Sequence, residues 1–247
     1  MNAPPTTLTE RVALVWDRIA QAARRVGRNP ESILLVAVTK THGFEVIEAA
    51  YRAGLQHFGE NRVEEAESKI MMARTALPPD VTWHMIGHIQ SRKTADVARL
   101  CDWVHSVDRL KIARRLNEAA SQSGRRLETL LEVNLSGEES KYGYDLSRWP
   151  DDASQLEVLV AEIEAMQAMS GLHLRGLMTM APLTAEPEET RPIFRRLRLL
   201  RETLQERFPD LQLTELSMGM SGDFEVAVEE GATIVRLGTI LFGPRED

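Results

Sequence analysis

One lysine lies just beyond the most apolar stretch of the first part of the chain. Six consecutive apolar residues, Ile33 to Val38, lead into Thr39 and Lys40. A lysine at the end of a buried strand loses hydration, which favours the neutral amine, and a neutral amine can form a Schiff base with an aldehyde. Alternatively, the strand has ended and Lys40 reaches solvent or a carboxylate. From these residues alone both interpretations stay open.

Two loops near the C-terminus have the composition of an anion site. The segment "LSMGMSGDFE" brings Ser217, Gly219 and Ser221 to the start of a predicted helix, and "VRLGT" ends on Gly238 and Thr239. Glycine lets backbone N–H groups approach an anion, and a helix start adds partial positive charge. Ordinary turn and cap chemistry explains one such loop, whereas two at matching positions favour a phosphate site.

An amine nucleophile together with a phosphate site restricts the ligand to a phosphorylated aldehyde or ketone. Pyridoxal 5′-phosphate (PLP) has both groups, and so has a phosphorylated sugar in a Schiff-base aldolase. A metal site is not expected, because His84 and His88 straddle a predicted strand and its loop and no third ligand accompanies them.

Composition excludes several classes of partner. The chain has 247 residues, with 30 basic and 37 acidic side chains and a net charge of −7, so no nucleic-acid partner is expected. No apolar stretch reaches the length of a membrane span, and the first residues lack the pattern of a signal peptide. The single cysteine, Cys101, fits a reducing compartment. We therefore expect a cytoplasmic protein without a membrane partner.

The elements that would position these residues alternate regularly. Short apolar runs alternate with segments of helical period, which predicts an α/β fold, a single (β/α)8 TIM barrel. A doubly wound sheet is the alternative, but it would normally have a glycine-rich loop after the first strand. The predicted strands are Ile33–Val38, Gln56–Gly59, Thr82–Gly87, Trp103–Val107, Thr129–Asn134, Leu174–Met180, Glu215–Gly219 and Thr233–Gly238.

An extra helix is expected before the first strand, because Thr7 and Glu10 have capping-box spacing. We predict one domain over residues 1–247, with residues 1–28 as a helical extension packed on the barrel. In such barrels the functional residues lie where strands end at the C-terminal face. Lys40 and both candidate phosphate loops have that position.

Eight segments, the three above among them, carry a family resemblance that runs in order from the first strand to the C-terminus. They are "VAVTKT", "FGENRVEEAESK", "WHMIGHIQSRK", "HSVDR", "VNLSGEESKYG", "LRGLMTMAP", "LSMGMSGDFEVAV" and "VRLGTILFG". Together they resemble the PLP homeostasis proteins, a group related to the barrel domain of alanine racemase. The resemblance implies the same single barrel fold and PLP as the cofactor.

The resemblance also implies individual roles. Lys40 would hold PLP as an aldimine, Arg236 would face the pyridine nitrogen, and Asn61 and His84 would line the ring. Met218 and Met220 would shape the pocket. The expected cofactor-binding residues are Lys40, Asn61, His84, Ser217, Met218, Gly219, Ser221, Arg236, Gly238 and Thr239.

An arginine beside the pyridine nitrogen implies a weak electron sink, because only a carboxylate there would keep that nitrogen protonated. We therefore expect a non-catalytic carrier that holds PLP and supplies it to PLP-dependent apoenzymes. The alternative is a PLP-dependent amino-acid racemase. Because the racemases complete their site with a second domain, which this sequence lacks, we also expect a monomer.

Overall fold

The computed structural model describes residues 7–138 and 140–244, which form a closed barrel of parallel strands. The strands are β1 (Leu34–Val38), β2 (His57–Glu60), β3 (Thr82–Met85), β4 (Trp103–Val107), β5 (Leu127–Asn134), β6 (Tyr144–Asp145), β7 (Leu172–Met178), β8 (Glu215–Ser217) and β9 (Ile234–Leu237). Neighbouring strands follow the order β4-β3-β2-β1-β9-β8-β7-β5, and pairing of β4 with β5 closes the ring. The two-residue strand β6 adds to the edge of β5.

Helices follow the strands and cover the outside of the barrel. The α-helices are α1 (Leu8–Arg25), α2 (Phe44–Arg52), α3 (Val63–Ala76), α4 (Thr94–Leu100), α5 (Leu110–Gln122), α6 (Ala153–Met166), α7 (Arg191–Arg207), α8 (Phe224–Glu229) and α9 (Thr239–Phe242). Short 3₁₀ turns at Pro30–Ser32, Ser91–Lys93 and Pro187–Thr190 precede β1, α4 and α7.

Side-chain alternation along the strands divides the interior into two regions. Outward-facing residues such as Leu35 and Ala37 of β1 belong to the large apolar core beneath the helices. Inward-facing residues form a much smaller apolar cluster in the barrel lumen, made of Val36, Leu130, Met178 and Ile234. Successive side chains of a strand point to opposite faces, so every second residue faces the lumen. The lumen-facing positions outside this small cluster are left for polar groups.

The prediction of a single eight-stranded barrel is confirmed, while several element boundaries differ. β7 begins at Leu172 rather than Leu174, because its pairing with β5 extends back to Leu127. β3 ends at Met85 rather than Gly87, where the chain turns to pack on the neighbouring loop. The short strand β6 and the helix α9 were not expected from the sequence pattern.

Helix α1 has the predicted capping box and lies on the outside of the barrel. The Thr7 hydroxyl accepts from the Glu10 N–H at 3.2 Å, and the Glu10 carboxylate accepts from the Thr7 N–H at 3.0 Å. Val15 and Ile19 of α1 enter the outer core, and Arg18 pairs with Glu225 of α8 at 2.8 Å. The predicted extension over residues 1–28 includes residues 1–6, which lie outside the described residues.

None of the helices in the described part of the chain combines the length and the apolar character needed to cross a membrane.

Candidate functional site

Lys40 lies in a tight turn at the C-terminal end of β1. The carbonyl of Thr39 accepts from the His42 N–H at 3.1 Å, which closes the turn around Lys40 and Thr41. Thr41 has a φ of +69°, in the left-handed region that β-branched residues rarely adopt. Such backbone strain tends to persist at functional sites, where the surrounding structure holds it in place. The turn therefore fixes the backbone of the half-buried Lys40.

A buried cluster of Thr39, Glu60 and Lys69, which we call the outer cluster, supports this turn from the helix side of the sheet. The Thr39 hydroxyl donates to Glu60 Oε1 at 2.6 Å. Lys69 of α3 donates to both Glu60 carboxylate oxygens, at 2.9 and 3.0 Å, and to the Thr39 carbonyl at 2.9 Å. Burial raises the pKa of Glu60, and the Thr39 hydroxyl and Lys69 counteract that rise. The cluster thus anchors the peptide unit that leads into Lys40, which gives Thr39 a structural role.

Arg236 projects into the lumen from β9, the strand next to β1. Its Cα is in register with that of Val36, four positions before Lys40. The guanidinium donates from Nη1 to Ser217 Oγ at 2.6 Å and from Nη2 to the Thr179 carbonyl at 3.0 Å. Only 4% of Arg236 is exposed. Burial lowers its pKa to about 10, so the side chain remains a cation at neutral pH.

Behind Arg236 a row of polar residues crosses the lumen. Ser217 Oγ lies 2.9 Å from His105 Nδ1, His105 Nε2 lies 2.9 Å from His84 Nδ1, and His84 Nε2 lies 3.0 Å from His57 Nδ1. We call His57, His84, His105, Ser217 and Arg236 the lumen chain. Burial lowers the pKa of all three histidines, and for His84 and His105 the pKa is well below the ordinary value.

The lumen chain places two of the expected cofactor-binding residues beneath Arg236. Ser217 was expected at the phosphate, but its hydroxyl is fully buried in β8 and is bonded to Arg236 and His105. His84 was expected to line the ring, yet it is fully buried between His57 and His105. Both side chains therefore act beneath Arg236. His105, which the sequence reasoning did not select, links them.

A buried carboxyl group, Glu132, also faces the lumen. It lies on β5, is 3% exposed, and its Oε2 has no hydrogen-bond partner among the described residues. Burial raises the pKa of Glu132 to about 7, with Asp108 adding to the rise and Arg236 opposing it. Glu132 was not among the expected site residues, although a glutamate inside the apolar run "TLLEV" is the signal that could have marked it.

The loops after β8 and β9 lie side by side. The Ser221 hydroxyl accepts from the Ile240 N–H at 3.3 Å, and the Asp223 carboxylate accepts from the Met220 N–H at 2.6 Å. Hydrogen bonding among the described residues leaves the N–H groups of Ser221 and Gly222 without a protein acceptor. The paired loops therefore present backbone donors to a ligand.

Glycine is required within the first of these loops. Gly219 has a φ of +94°, and a Cβ there would lie 2.6 Å from the Ala227 side chain. Gly238 precedes α9, and Thr239 beside it is exposed.

Met218 departs from its expected role in shaping the pocket. It follows lumen-facing Ser217 along the strand direction, so its side chain points outward, and it is fully buried in the core beneath the helices. Met220, two positions further on, is half-buried in the loop itself.

Asn61 follows β2 at the same end of the barrel as Lys40. A Cβ on Gly87 would lie 2.2 Å from the Asn61 carbonyl oxygen, so the loops after β2 and β3 can pack this closely only because residue 87 is glycine. The Asn61 Oδ1 atom is buried and has no hydrogen-bond partner among the described residues. An unsatisfied side-chain acceptor at the mouth of a barrel indicates a place where a ligand donor can bind.

Further polar residues surround the mouth on the opposite side. Lys141, in the loop after β5, donates to the Met180 carbonyl at 3.2 Å and pairs with Glu138. The ring of Tyr142 stacks on His88 with the centroids 3.7 Å apart. These residues stood in segments that the family resemblance selected, but no role was predicted for them. Among the described residues, no cluster of three or more histidine, cysteine or acidic side chains could bind a metal ion.

Comparison with known proteins places this geometry in a family. The alanine racemase N-terminal domain model matches residues 15–246. The pyridoxal phosphate homeostasis protein of Pseudomonas aeruginosa is 45% identical over 241 residues, covering 98% of this chain and 97% of the relative. The protein of that name from Escherichia coli is 38% identical over 239 residues, covering 97% of both chains.

Solved structures agree with the sequence comparison. PipY of Synechococcus elongatus, in a structure with PLP bound, matches with a TM-score of 0.81 and 39% identity, covering 96% of this chain and 100% of PipY. An alanine racemase of Clostridium difficile matches with a TM-score of 0.69 and 16% identity, covering 96% of this chain and 58% of the racemase, which shows a common fold. The chain belongs to the alanine racemase N-terminal domain family, within its group of pyridoxal phosphate homeostasis proteins.

Proposed function

We propose that this chain binds PLP through Lys40 and serves PLP homeostasis without catalytic turnover of its own. The observation that carries the proposal is the placement of Arg236 on β9 and of Lys40 in the turn that follows the adjacent strand β1. Lys40 lies four positions after Val36, the residue in register with Arg236, and β1 ends at Val38, so the two backbone positions are at most about 13 Å apart along the strand direction at the usual rise per residue. Side chains reaching toward each other across that distance leave room for a pyridine ring between them.

The residues present fit each part of PLP. The Lys40 amine can attack the aldehyde, and Arg236 keeps N–H donors beyond those bonded to Ser217 and Thr179. The N–H groups of Ser221 and Gly222, with Gly238 and Thr239 in the adjoining loop, would receive the phosphate. The unsatisfied Asn61 Oδ1 can accept from a ring substituent. We propose that Gly219 is needed because it allows the loop after β8 to pack closely.

The covalent link would be a Schiff base. A carbon–nitrogen double bond would join Lys40 Nζ to the aldehyde carbon, and the carbonyl oxygen would leave as water with the two protons of the neutral amine. PLP supplies an electron-withdrawing ring when bound. In our proposal the residues of this chain bind and orient it.

We propose the absence of catalytic turnover because of the charge of Arg236 and the groups around it. A cationic donor beside the ring nitrogen opposes protonation of that nitrogen at neutral pH. An unprotonated ring is a weak electron sink. The lumen chain behind Arg236 is built of groups that favour their neutral forms, so it offers no charged carboxylate to take that place. The names of the curated relatives support a role in homeostasis.

Absorption spectroscopy tests the binding proposal. The wild-type protein incubated with PLP and passed through a desalting column should keep a visible Schiff-base band, and Lys40→Ala should lose it. Lys111→Ala, at an exposed position of α5, is the matched control and should keep the band. A Lys40→Ala protein with the wild-type band would overturn the assignment of Lys40.

Isotope exchange separates a carrier from an amino-acid racemase. The PLP-loaded protein is incubated in heavy water with single enantiomers of several amino acids, and deuterium at Cα is measured by mass spectrometry. We expect exchange no faster than with free PLP. Exchange that depends on the protein and accompanies loss of enantiomeric purity would favour the racemase.

We further propose that residues 1–247 form one PLP-binding domain that acts in the cytoplasm, with PLP-dependent apoenzymes as recipients of the cofactor. The single, buried Cys101 supports a reducing compartment.

A further inference from the structure

The lumen chain joins residues from five strands through four consecutive hydrogen bonds, and the proposed PLP site uses only the Arg236 end of it. His57 lies at the start of β2, His84 on β3, His105 on β4 and Ser217 on β8. Buried polar groups in a barrel lumen are costly unless they are all paired. The pairing pattern therefore constrains which nitrogen of each ring carries its proton.

Proton counting selects one arrangement. Arg236 can only donate, so Ser217 Oγ accepts from it, and the Ser217 hydroxyl proton is available to His105 Nδ1. His105 must then carry its proton on Nε2 and donate to His84 Nδ1, and His84 in turn donates from Nε2 to His57 Nδ1. The reverse arrangement would leave the Ser217 proton without an acceptor among the described residues.

The surroundings of the lumen chain favour neutral imidazole rings. Burial lowers the pKa of His105, and the nearby charge of Arg236 lowers it further. The Trp103 ring stacks on His84 with centroids 5.6 Å apart, which shields that ring from water. Acidic groups oppose these shifts at the two ends of the lumen chain. Asp102 raises the pKa of His57, and Glu132 and Asp223 raise that of Arg236.

We propose that His105 is a positioning residue for Arg236. Backed by His84 and His57, it holds the Ser217 hydroxyl as an acceptor for the guanidinium, so that Arg236 stays directed at the ring nitrogen of the ligand. The inference rests on the proposed function, because the ligand end of the chain is the PLP site.

The first test needs no ligand. Long-range ¹H–¹⁵N correlation spectra of the ligand-free protein at neutral pH report the tautomer of each histidine ring. We expect His57, His84 and His105 all to carry the proton on Nε2, with Nδ1 unprotonated. An Nδ1–H tautomer or a doubly protonated ring at His84 or His105 would overturn the arrangement.

Two substitutions at one position separate positioning from simple packing. The amide of His105→Asn reaches about as far as Nδ1 and can still bond to Ser217, whereas that of His105→Gln reaches about as far as Nε2 and bonds toward His84. Losing the Ser217 bond should weaken PLP binding about tenfold in His105→Gln, as one hydrogen bond is worth roughly that factor. His105→Asn should recover most of the affinity, and only His105→Gln should shift the visible band of bound PLP.

Ser217→Ala is a second test of the same role, because it removes the hydroxyl that connects Arg236 to His105 and keeps every histidine. It should match His105→Gln in affinity and band position. Equal losses of PLP affinity in His105→Asn and His105→Gln would overturn the positioning role. An unchanged PLP affinity in His105→Gln or in Ser217→Ala would also overturn it. If the wild-type protein binds no PLP, the proposed function fails, while the tautomers of the ligand-free chain are still decided by the first test.

Discussion

Two buried polar groups of residues flank the candidate PLP site, and they are built on opposite principles. The outer cluster, on the helix side of β1, contains an ion pair: Lys69 contacts both oxygens of Glu60, and Thr39 adds a hydroxyl. The lumen chain, inside the barrel, connects a single cation, Arg236, to neutral partners. The outer cluster therefore balances its own charge, whereas the lumen chain leaves the charge of Arg236 uncompensated at hydrogen-bonding distance.

The difference corresponds to two tasks. The outer cluster holds backbone: Lys69 also donates to the Thr39 carbonyl, next to Lys40. The lumen chain holds a functional side chain and must not neutralise it, because a carboxylate bonded to Arg236 would compete with a ligand for the same donors. Charge pairing is thus used where the structure needs rigidity, and neutral hydrogen bonding where it needs an available cation.

The largest expected effect is at the ion pair of the outer cluster. Lys69→Met leaves the Glu60 carboxylate buried without its cation, and such losses cost about 3–5 kcal/mol. Urea unfolding followed by circular dichroism would measure the change in free energy of unfolding.

Two controls sharpen this prediction. The double variant Lys69→Met/Glu60→Gln should recover most of the lost stability, because no buried charge remains. Arg52→Met breaks the exposed pair with Glu48 and should cost less than about 1 kcal/mol. If Lys69→Met cost no more than Arg52→Met, the outer cluster would not be the charge-paired support described above.

The next largest effect is the pH dependence of protein stability that Glu132 causes. Its pKa is raised from 4.5 to about 7 in the folded protein, so the folded state favours the protonated carboxyl. The associated stability is complete below the ordinary pKa and is lost as pH rises through about 7. Glu132→Gln should remove that loss and be more stable than wild type above neutral pH, by ~3 kcal/mol.

Unfolding free energies measured from pH 4 to pH 9 would check this dependence. Glu206→Gln, at an exposed position of α7, serves as the control and should follow the wild-type profile. A Glu132→Gln profile parallel to the wild type would mean that the pKa of Glu132 is the same in the folded and unfolded states, so that the carboxyl is charged in the lumen at neutral pH. The lumen would then be charge-balanced, as the outer cluster is.

The smallest effect is expected at the hydroxyl of the outer cluster. Thr39→Val keeps the shape of the side chain and removes the bond to Glu60, which should cost about 2 kcal/mol because the acceptor is charged. Thr75→Val, which loses a bond to the Met71 carbonyl on the surface of α3, should cost less than ~0.5 kcal/mol. Equal costs in thermal unfolding would contradict a charged Glu60.

The barrel was predictable from the sequence because it depends on local patterns. Apolar runs and helical segments alternate, and the position of Lys40 at the end of β1 follows from the place where the apolar run stops. The paired loops around Ser221 and Gly238 were predictable for the same reason, because glycine and serine mark turns wherever they occur.

The lumen chain was not predictable, because it depends on closure of the barrel. His105 and Ser217 lie 112 residues apart and become neighbours only when the sheet closes on itself. The orientation of Met218 depends on register, since a shift of one residue exchanges the two faces of a strand. The pairing of Lys69 with Glu60 depends on how α3 packs against β2, which the sequence pattern does not specify.

The most direct test of the central claim is to locate the covalent link. The protein is loaded with PLP, reduced with borohydride and digested, and the peptides are analysed by tandem mass spectrometry. We predict one stable phosphopyridoxyl adduct, on Lys40. An adduct on Lys69, Lys93, Lys111 or Lys141 with Lys40 unmodified would contradict the assignment.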